Sequence, residues 1–235
     1  MKLNKIYCED CMETMSRMED NFIDLTVTSP PYNFDKGSGL GTKYNGIKDN
    51  KSLNEYFDWS VLVIDEIMRV SKLVAYNIQM VAGNKNALLK LIGYYSDNIR
   101  EILIWDKKYS EPAMNEKVFN SEFEFIFLLD KKGGGRKIDL ANFDRGTVSN
   151  IVRVGKNSGK YKNHKACMPL RLSDKLVKYL SKENDNVYDP FMGSGTTAIS
   201  SIRQKRNWIG SELSQEYVDL ANKRLDPYLR QTQLF

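Results

Sequence analysis

Two short stretches carry residue types that can do chemistry. The first is Asn186-Val-Tyr-Asp-Pro-Phe-Met-Gly-Ser-Gly-Thr-Thr-Ala198. An apolar strand (Val187, Tyr188) runs into Asp189 and Pro190, and Gly193 and Gly195 then allow a tight turn and close backbone approach that a β-carbon would block. A helix follows from near Ser194 or Thr196, whose hydroxyls can cap its free amides. Such a helix start holds a carboxylate or phosphate. Glu212 ends a second apolar strand, Trp208-Ile209-Gly210. It lies roughly 20 residues beyond the glycines, the spacing at which a carboxylate reaches a ribose diol in doubly wound folds. A dinucleotide such as NAD fits less well, because Ala198 replaces the third glycine of G-x-G-x-x-G. The bland alternative is an ordinary βα turn.

The second stretch is Ser29-Pro30-Pro31-Tyr32, directly after Ile23-Asp-Leu-Thr-Val-Thr28, which reads as a buried strand. Two prolines remove two backbone donors and fix φ at both positions. The carbonyls of Ser29 and Pro30 are then held outward at the strand's carboxyl end, beside an aromatic plate. In a random loop the quartet would be only a stiff turn.

The elements that must position these stretches alternate along the chain. Leu53, Phe57, Val61, Ile64 and Met68 recur at helical spacing, which predicts an amphipathic helix from about Ser52 to Val70. Leu73–Tyr76 reads as a strand, Leu88, Leu91, Ile92 and Tyr95 mark a helix, and Ile99–Trp105 and Phe123–Leu129 read as an antiparallel strand pair. Leu170–Leu180 and Ser214–Leu225 read as helices flanking the strands that end at Asp189 and Glu212. The pattern predicts an α/β, doubly wound, mostly parallel sheet with its ligands at the strands' carboxyl ends. The 235 residues suit a single domain. Three cysteines suggest no disulfide framework and no apolar run reaches membrane-spanning length, so a cytoplasmic setting is expected. Cys8 and Cys11 have metal spacing but no second pair, and the only histidine is His164, so no metal site is expected.

With both motifs in view, the chain resembles the S-adenosylmethionine-dependent amino-methyltransferases of DNA, which act on cytosine N4 or adenine N6. The family quartet is Asp/Asn/Ser-Pro-Pro-Tyr/Phe and its cofactor loop is Asp-Pro-Phe-x-Gly-Ser-Gly-Thr, matched here by Ser29–Tyr32 and Asp189–Thr196. The quartet comes first, as in the family's β subgroup. Ile104-Trp105-Asp106-Lys107, His164-Lys-Ala-Cys-Met168-Pro169 and Ile209–Leu213 extend the resemblance over nearly the whole chain. It implies a Rossmann-like class I methyltransferase sheet of seven strands. The catalytic half would cover 1–130, a small basic target-recognition insert about 131–163, and the cofactor half 164–235.

The resemblance also assigns roles. Asp189, Pro190, Phe191, Gly193, Ser194, Gly195, Thr196 and Thr197 would surround the methionine end of S-adenosylmethionine, with His164, Met168 and Pro169 bordering it and Thr28 nearby. Glu212 would hold the ribose hydroxyls with Leu213 beside the adenine. Asp10, in Tyr7–Cys11, would accept from the adenine amine, although Glu9 replaces the family's glycine there; a solvated acidic turn is the other reading. Ser29 and Pro30 would accept hydrogen bonds from both N–H groups of the target amine, favouring a pyramidal nitrogen. Pro31 would stiffen the turn and Tyr32 would stack on the base. No covalent nucleophile is required. Serine at the first position resembles the cytosine-N4 members; adenine N6 is the alternative.

From Lys131 to Lys165 ten Lys/Arg face only Asp139 and Asp144, a charge of +8 against +5 for the whole chain. Gly133–Gly135 and Gly155–Gly159 make the segment loop-rich. Lys131, Lys132, Arg136, Lys137 and Arg145 are thus expected to neutralise DNA phosphates, unless the run is simply a solvated face. The target base must be flipped out of the duplex. Lys36, Lys43 and Tyr44, in the glycine-bearing stretch after the quartet, would contact DNA from a flap over it. A short recognition sequence is expected, with a homodimer or a cognate restriction endonuclease as partners. Gln231–Phe235 resembles peptides that dock on bacterial sliding clamps; it also reads as a frayed tail. Methyltransferases of RNA, protein or small molecules, and a non-catalytic DNA-binding relative, are the rival classes.

Overall fold

A computed structural model of the chain describes residues 1–34, 50–110, 113, 116–156 and 167–232, with side chains to residue 230. In chain order the elements are β1 (Lys5–Tyr7), α1 (Cys11–Ser16), β2 (Ile23–Thr28), α2 (Leu53–Val70), β3 (Ser71–Ile78), α3 (Lys85–Tyr94) and β4 (Ile99–Asp106). Then follow β5 (Phe123–Leu129), β6 (Ile151–Arg153), α4 (Leu170–Leu180), β7 (Asn186–Asp189), α5 (Thr196–Arg203), β8 (Asn207–Ser211) and α6 (Gln215–Thr232). Among the described residues one sheet holds every strand, in the order β1-β8-β7-β2-β3-β5-β4-β6. Only β5 runs against the rest, pairing antiparallel with both β3 and β4.

The doubly wound α/β expectation holds, but among the described residues the sheet has eight strands where seven were expected. The extra one is β6, which lies inside the basic insert and pairs with β4 through Ile104↔Ile151 to Asp106↔Arg153. Three residues among charges and glycines give too short an alternation to register as a strand.

The strands are apolar on both faces because helices cover both. On β3, Val74, Tyr76 and Ile78 pack into the core beside Met15 of α1, Val63 and Ile67 of α2, and Leu88 of α3. Leu73 and Ala75 face the opposite core with Leu172, Leu176 and Leu180 of α4. A third cluster joins Ile199 of α5 to Trp208 and to Val218, Ala221 and Leu225 of α6.

Ser52 caps α2 through a reciprocal box: its Oγ accepts from Glu55 N, and Glu55 Oε2 accepts from Ser52 N. The buried face of this helix is rotated from the expected stripe. Ile64 and Met68 are buried as expected, but Tyr56, Ser60, Val63 and Ile67 also point inward, Phe57 and Val61 are only partly covered and Leu53 is exposed. Polar side chains explain the rotation: Ser60 Oγ donates to Tyr56 O (2.6 Å) and Tyr56 OH to Pro31 O (2.8 Å), so both are satisfied inside. Among the described residues no helix is long and apolar enough to cross a membrane.

The topology turns at the centre. Strand β2 crosses over to β3 on one side and β7 to β8 on the other, and β2 and β7 are direct neighbours through Leu25↔Val187 and Thr26↔Tyr188. Ligands of open α/β sheets bind at the carboxyl ends of such a switch point.

Candidate active site

Both sequence motifs emerge at that switch point. Thr28 Oγ1, on the last residue of β2, donates to Asp189 Oδ1 (2.8 Å), on the last residue of β7. Asp189 also accepts from Thr197 Oγ1 (2.7 Å) and from Phe191 N (3.1 Å). Burial pushes its carboxyl up to about 6, opposed by these donors. The two motifs are therefore stitched together by one buried carboxylate.

On the β7 side the loop turns as its glycines require. Gly193 and Gly195 have φ of 50° and 81°. A β-carbon on Gly195 would stand 3.1 Å from Ala221 Cβ of α6. Gly195 is itself the N-cap of α5, without a side-chain cap bond. The expected hydroxyl capping does not occur; Ser194 Oγ and Thr196 Oγ1 lie 2.9 and 3.2 Å from Cys167 Sγ instead. Arg224 of α6 donates to Ser194 Oγ (2.5 Å) and holds the loop from behind.

Glu212 follows β8. Its Oε2 accepts from Gly193 N (2.9 Å) and its Oε1 from Ser214 N (2.9 Å), while its own amide donates to Tyr7 O of β1 (3.0 Å). Burial raises its carboxyl above the usual range, against these amides. Leu213 beside it is half-exposed, and Asp10, past the end of adjacent β1, is exposed and caps α1 by accepting from Met12 N (2.8 Å). Cys11 is buried in the core next to Met15, and Met168 is partly buried with Pro169 as the N-cap of α4. His164, Lys36, Lys43 and Tyr44 lie outside the described residues.

On the β2 side the quartet is rigid. The Pro31 carbonyl is taken by Tyr56 OH, whereas the Pro30 carbonyl accepts no hydrogen bond among the described residues. Asn33, at φ 57°, donates to Lys51 O (2.9 Å) and Gly83 O (2.7 Å), which anchors the far end of the quartet. Tyr32 is buried rather than presented as a free plate, with its ring 6.0 Å from that of Phe34.

Its hydroxyl enters a polar network that the motif reading did not find. Ser29 Oγ lies 2.7 Å from Tyr32 OH, which donates to Glu124 Oε2 (2.9 Å) of β5. Asn77 of β3 donates to Tyr32 OH (2.7 Å) and to Glu124 Oε2 (2.8 Å), and Asn77 Oδ1 has no partner among the described residues. Lys107, 1% exposed, stands 3.3 Å from Glu124 Oε1 and 3.2 Å from Gln79 Oε1. Burial lowers the Lys107 ammonium below its usual range, with Glu124 opposing and Lys156 adding repulsion. Glu124, the one charged residue in the otherwise apolar β5, was the available signal.

The basic insert is split by the sheet. Because β5 is reversed, Lys131 and Lys132 leave it at the edge opposite the quartet, and Lys131 reaches Asp20 and the carbonyl of Arg69. Lys132 and Lys137 pair with Asp139, and Arg136 with Glu101. Arg145 is exposed in the loop that Asn142 ties to the end of α4. The structure does not bring Lys131, Lys132, Arg136 or Lys137 to the site. Residues 153–156 return to it: Val154 N donates to Asp106 O (3.0 Å), and Arg153 and Lys156 are exposed there.

The donors and acceptors suit S-adenosylmethionine: amides and positive-φ glycines at the turn, and the Glu212 and Asp10 carboxyls on neighbouring strand ends. A family profile described as DNA methylase, for the N6/N4 methyltransferases, matches residues 23–223. The orphan methyltransferase M.BamHII of Bacillus amyloliquefaciens is 31% identical, over 89% of this chain and 91% of its own length. The Type II methyltransferase M.HpaI of Haemophilus parainfluenzae is 26% identical, over 94% and 74% respectively. Among solved structures, the cytosine-N4-specific PvuII DNA methyltransferase superposes with a TM-score of 0.73 at 19% identity, covering 98% of this chain and 93% of that one. M1.HpyAVI in complex with S-adenosylmethionine gives 0.62 at 22% identity, covering 94% and 99%. With the two motifs joined at one switch point and the profile spanning both, the chain belongs to the N6/N4 DNA methylase family, whose methyl donor is S-adenosylmethionine.

Proposed function

We propose that the protein methylates the exocyclic N4 amine of cytosine in duplex DNA, on a base turned out of the helix. The observation that carries this is the 2.8 Å bond between Thr28 and Asp189, which sets Ser29-Pro-Pro-Tyr32 beside the cofactor turn. S-adenosylmethionine supplies an electrophilic methyl group; the chain's residues supply position and acceptors. Ser29 Oγ and the Pro30 carbonyl, the latter unengaged among the described residues, accept from the two N–H groups of the amine, which frees its lone pair. Glu212 and Asp10 hold the ribose and adenine ends of the cofactor, and the turn from Asp189 to Thr197 holds the methionine end.

DNA approaches along the carboxyl edge of the sheet, where exposed Lys108, Lys117, Arg153 and Lys156 neutralise phosphates. Lys131, Lys132, Arg136 and Lys137 are not part of this face. Similarity to Type II and orphan methyltransferases supports a place in or beside a restriction-modification system in the cytoplasm. Serine at position 29 supports cytosine over adenine. Nucleoside mass analysis of plasmid DNA methylated by the purified protein is expected to yield N4-methylcytosine; N6-methyladenine alone overturns the base assignment. A clamp contact through residues 231–235, whose side chains lie outside the described residues, is tested by pull-down with and without those five.

A further inference from the structure

We propose that Glu124 is a positioning residue which, through Tyr32, sets the direction in which the Ser29 hydroxyl points. The inference rests on the reading that Ser29 accepts a hydrogen bond from the target amine. A serine hydroxyl can donate one hydrogen and accept others, and nothing in Ser29 alone decides which face it shows the base. Tyr32 OH and Ser29 Oγ are 2.7 Å apart, so one of them donates to the other.

Two neighbours decide the direction. Glu124 Oε2, 2.9 Å from Tyr32 OH, belongs to a carboxylate that can only accept, so the tyrosine proton is committed to it. Asn77 Nδ2 approaches both Tyr32 OH (2.7 Å) and Glu124 Oε2 (2.8 Å), and it too can only donate. The short contact to Ser29 is therefore filled by the serine proton. With that hydrogen turned away, one lone pair of Ser29 Oγ accepts weakly from Asn77 Nδ2 (3.4 Å) and the other is left to face the amine. Reversing the chain would aim the serine hydrogen at a donor N–H.

The carboxylate is held for the task. Trp105 pairs with Glu124 across β4 and β5, and Lys107 N donates to Glu122 O (2.9 Å) at the start of the turn. Lys107 Nζ balances the charge on the other carboxylate oxygen at 3.3 Å. A buried pair placed only for stability would have no need to end a hydroxyl chain that leads to the quartet.

The test is single-turnover transfer of a radiolabelled methyl group to plasmid DNA by the full chain. Glu124→Gln, whose amide can donate to Tyr32 and so reverse the chain, is expected to slow transfer roughly ten-fold or more. Affinity for S-adenosylmethionine in calorimetry should stay unchanged. Tyr32→Phe, a residue within the family pattern at this position, cuts the link. In that background Glu124→Gln should change the rate by less than about two-fold. Should Glu124→Gln fail to fold with Lys107 left unpaired, Glu124→Asp keeps the charge and withdraws the acceptor from Tyr32, and the same coupling is expected. An unaltered rate in the single variant, or an undiminished effect in the Tyr32→Phe background, overturns the inference. Ser29→Ala separates the two readings. Full activity there defeats the assignment of Ser29 itself, whereas loss there with an uncoupled Glu124 effect defeats only the role of Glu124.

Discussion

Replacing Thr28 by valine removes one hydroxyl from the seam between the two motifs and nearly preserves its shape. Asp189 loses the 2.8 Å donor and keeps Thr197 and the Phe191 amide. A hydrogen bond to a charged group is worth about 1.5–3 kcal/mol, and 1 kcal/mol moves the melting point of a chain of this size by about 2–4 °C. At pH 7.5 the expected fall is therefore about 3–12 °C. The Asp189 carboxyl titrates at about 6 in the fold, against 3.8 when unburied. Below about pH 4 it is neutral in both states and imposes no cost. As the pH rises through about 4 to 6 the folded state holds its proton longer, so stability declines, by on the order of 3 kcal/mol in total. At pH 5 the carboxyl is largely neutral, and the valine variant should lose only about 1 kcal/mol, or about 2–4 °C. Calorimetric melting of both proteins at the two pH values measures this difference. Equal losses at both pH values, or no loss at pH 7.5, would refute the assignment of Asp189 as the charged stitch.

Glu212→Ala should weaken S-adenosylmethionine binding by roughly ten-fold or more in calorimetry, because it removes the acceptor for the ribose and frees Gly193 N; unchanged affinity counts against the ribose role. Gly195→Ala should destabilise the protein by about 1–3 kcal/mol, since φ is 81° and the new methyl meets Ala221; a denaturant midpoint equal to wild type would contradict the turn geometry. Arg153→Ala with Lys156→Ala should reduce the slope of log affinity for DNA against log salt by about 1.8, whereas the same change at Lys131 and Lys132 should leave it nearly constant. The opposite ranking would return the DNA face to the far edge of the sheet.

The parts of this arrangement that could be read from sequence are those with local causes. Proline pairs and glycine turns announce themselves, and so do strands that are apolar on both faces, because φ limits and burial act over a few residues. The misplaced basic residues had a different cause. Charge density says nothing about which edge of the sheet a segment occupies, and a single antiparallel strand sends Lys131 away from the site while β6 brings Arg153 back. Glu124, Asn77 and Lys107 could not be joined into a network for a related reason: they lie on or just after three different strands and acquire meaning only when β2, β3, β4 and β5 are laid side by side. The rotation of α2 needed knowledge of Pro31, which receives the Tyr56 hydroxyl.

The neighbourhood of β2 and β7, whose joined side chains are 161 positions apart, also governs how the chain is made. As the polypeptide leaves the ribosome, β2 and β3 emerge with one flank of β2 unoccupied, and its natural cover arrives only after α4 has been synthesised. Likewise β1 waits for β8, its neighbour in the sheet. During that interval Ile23–Thr28 offers bare amides and carbonyls to any passing strand. Ring-closing contacts of such long span make folding slow. Overproduced protein should therefore gain more soluble yield from slower translation or chaperone capacity than from substitutions on its finished surface.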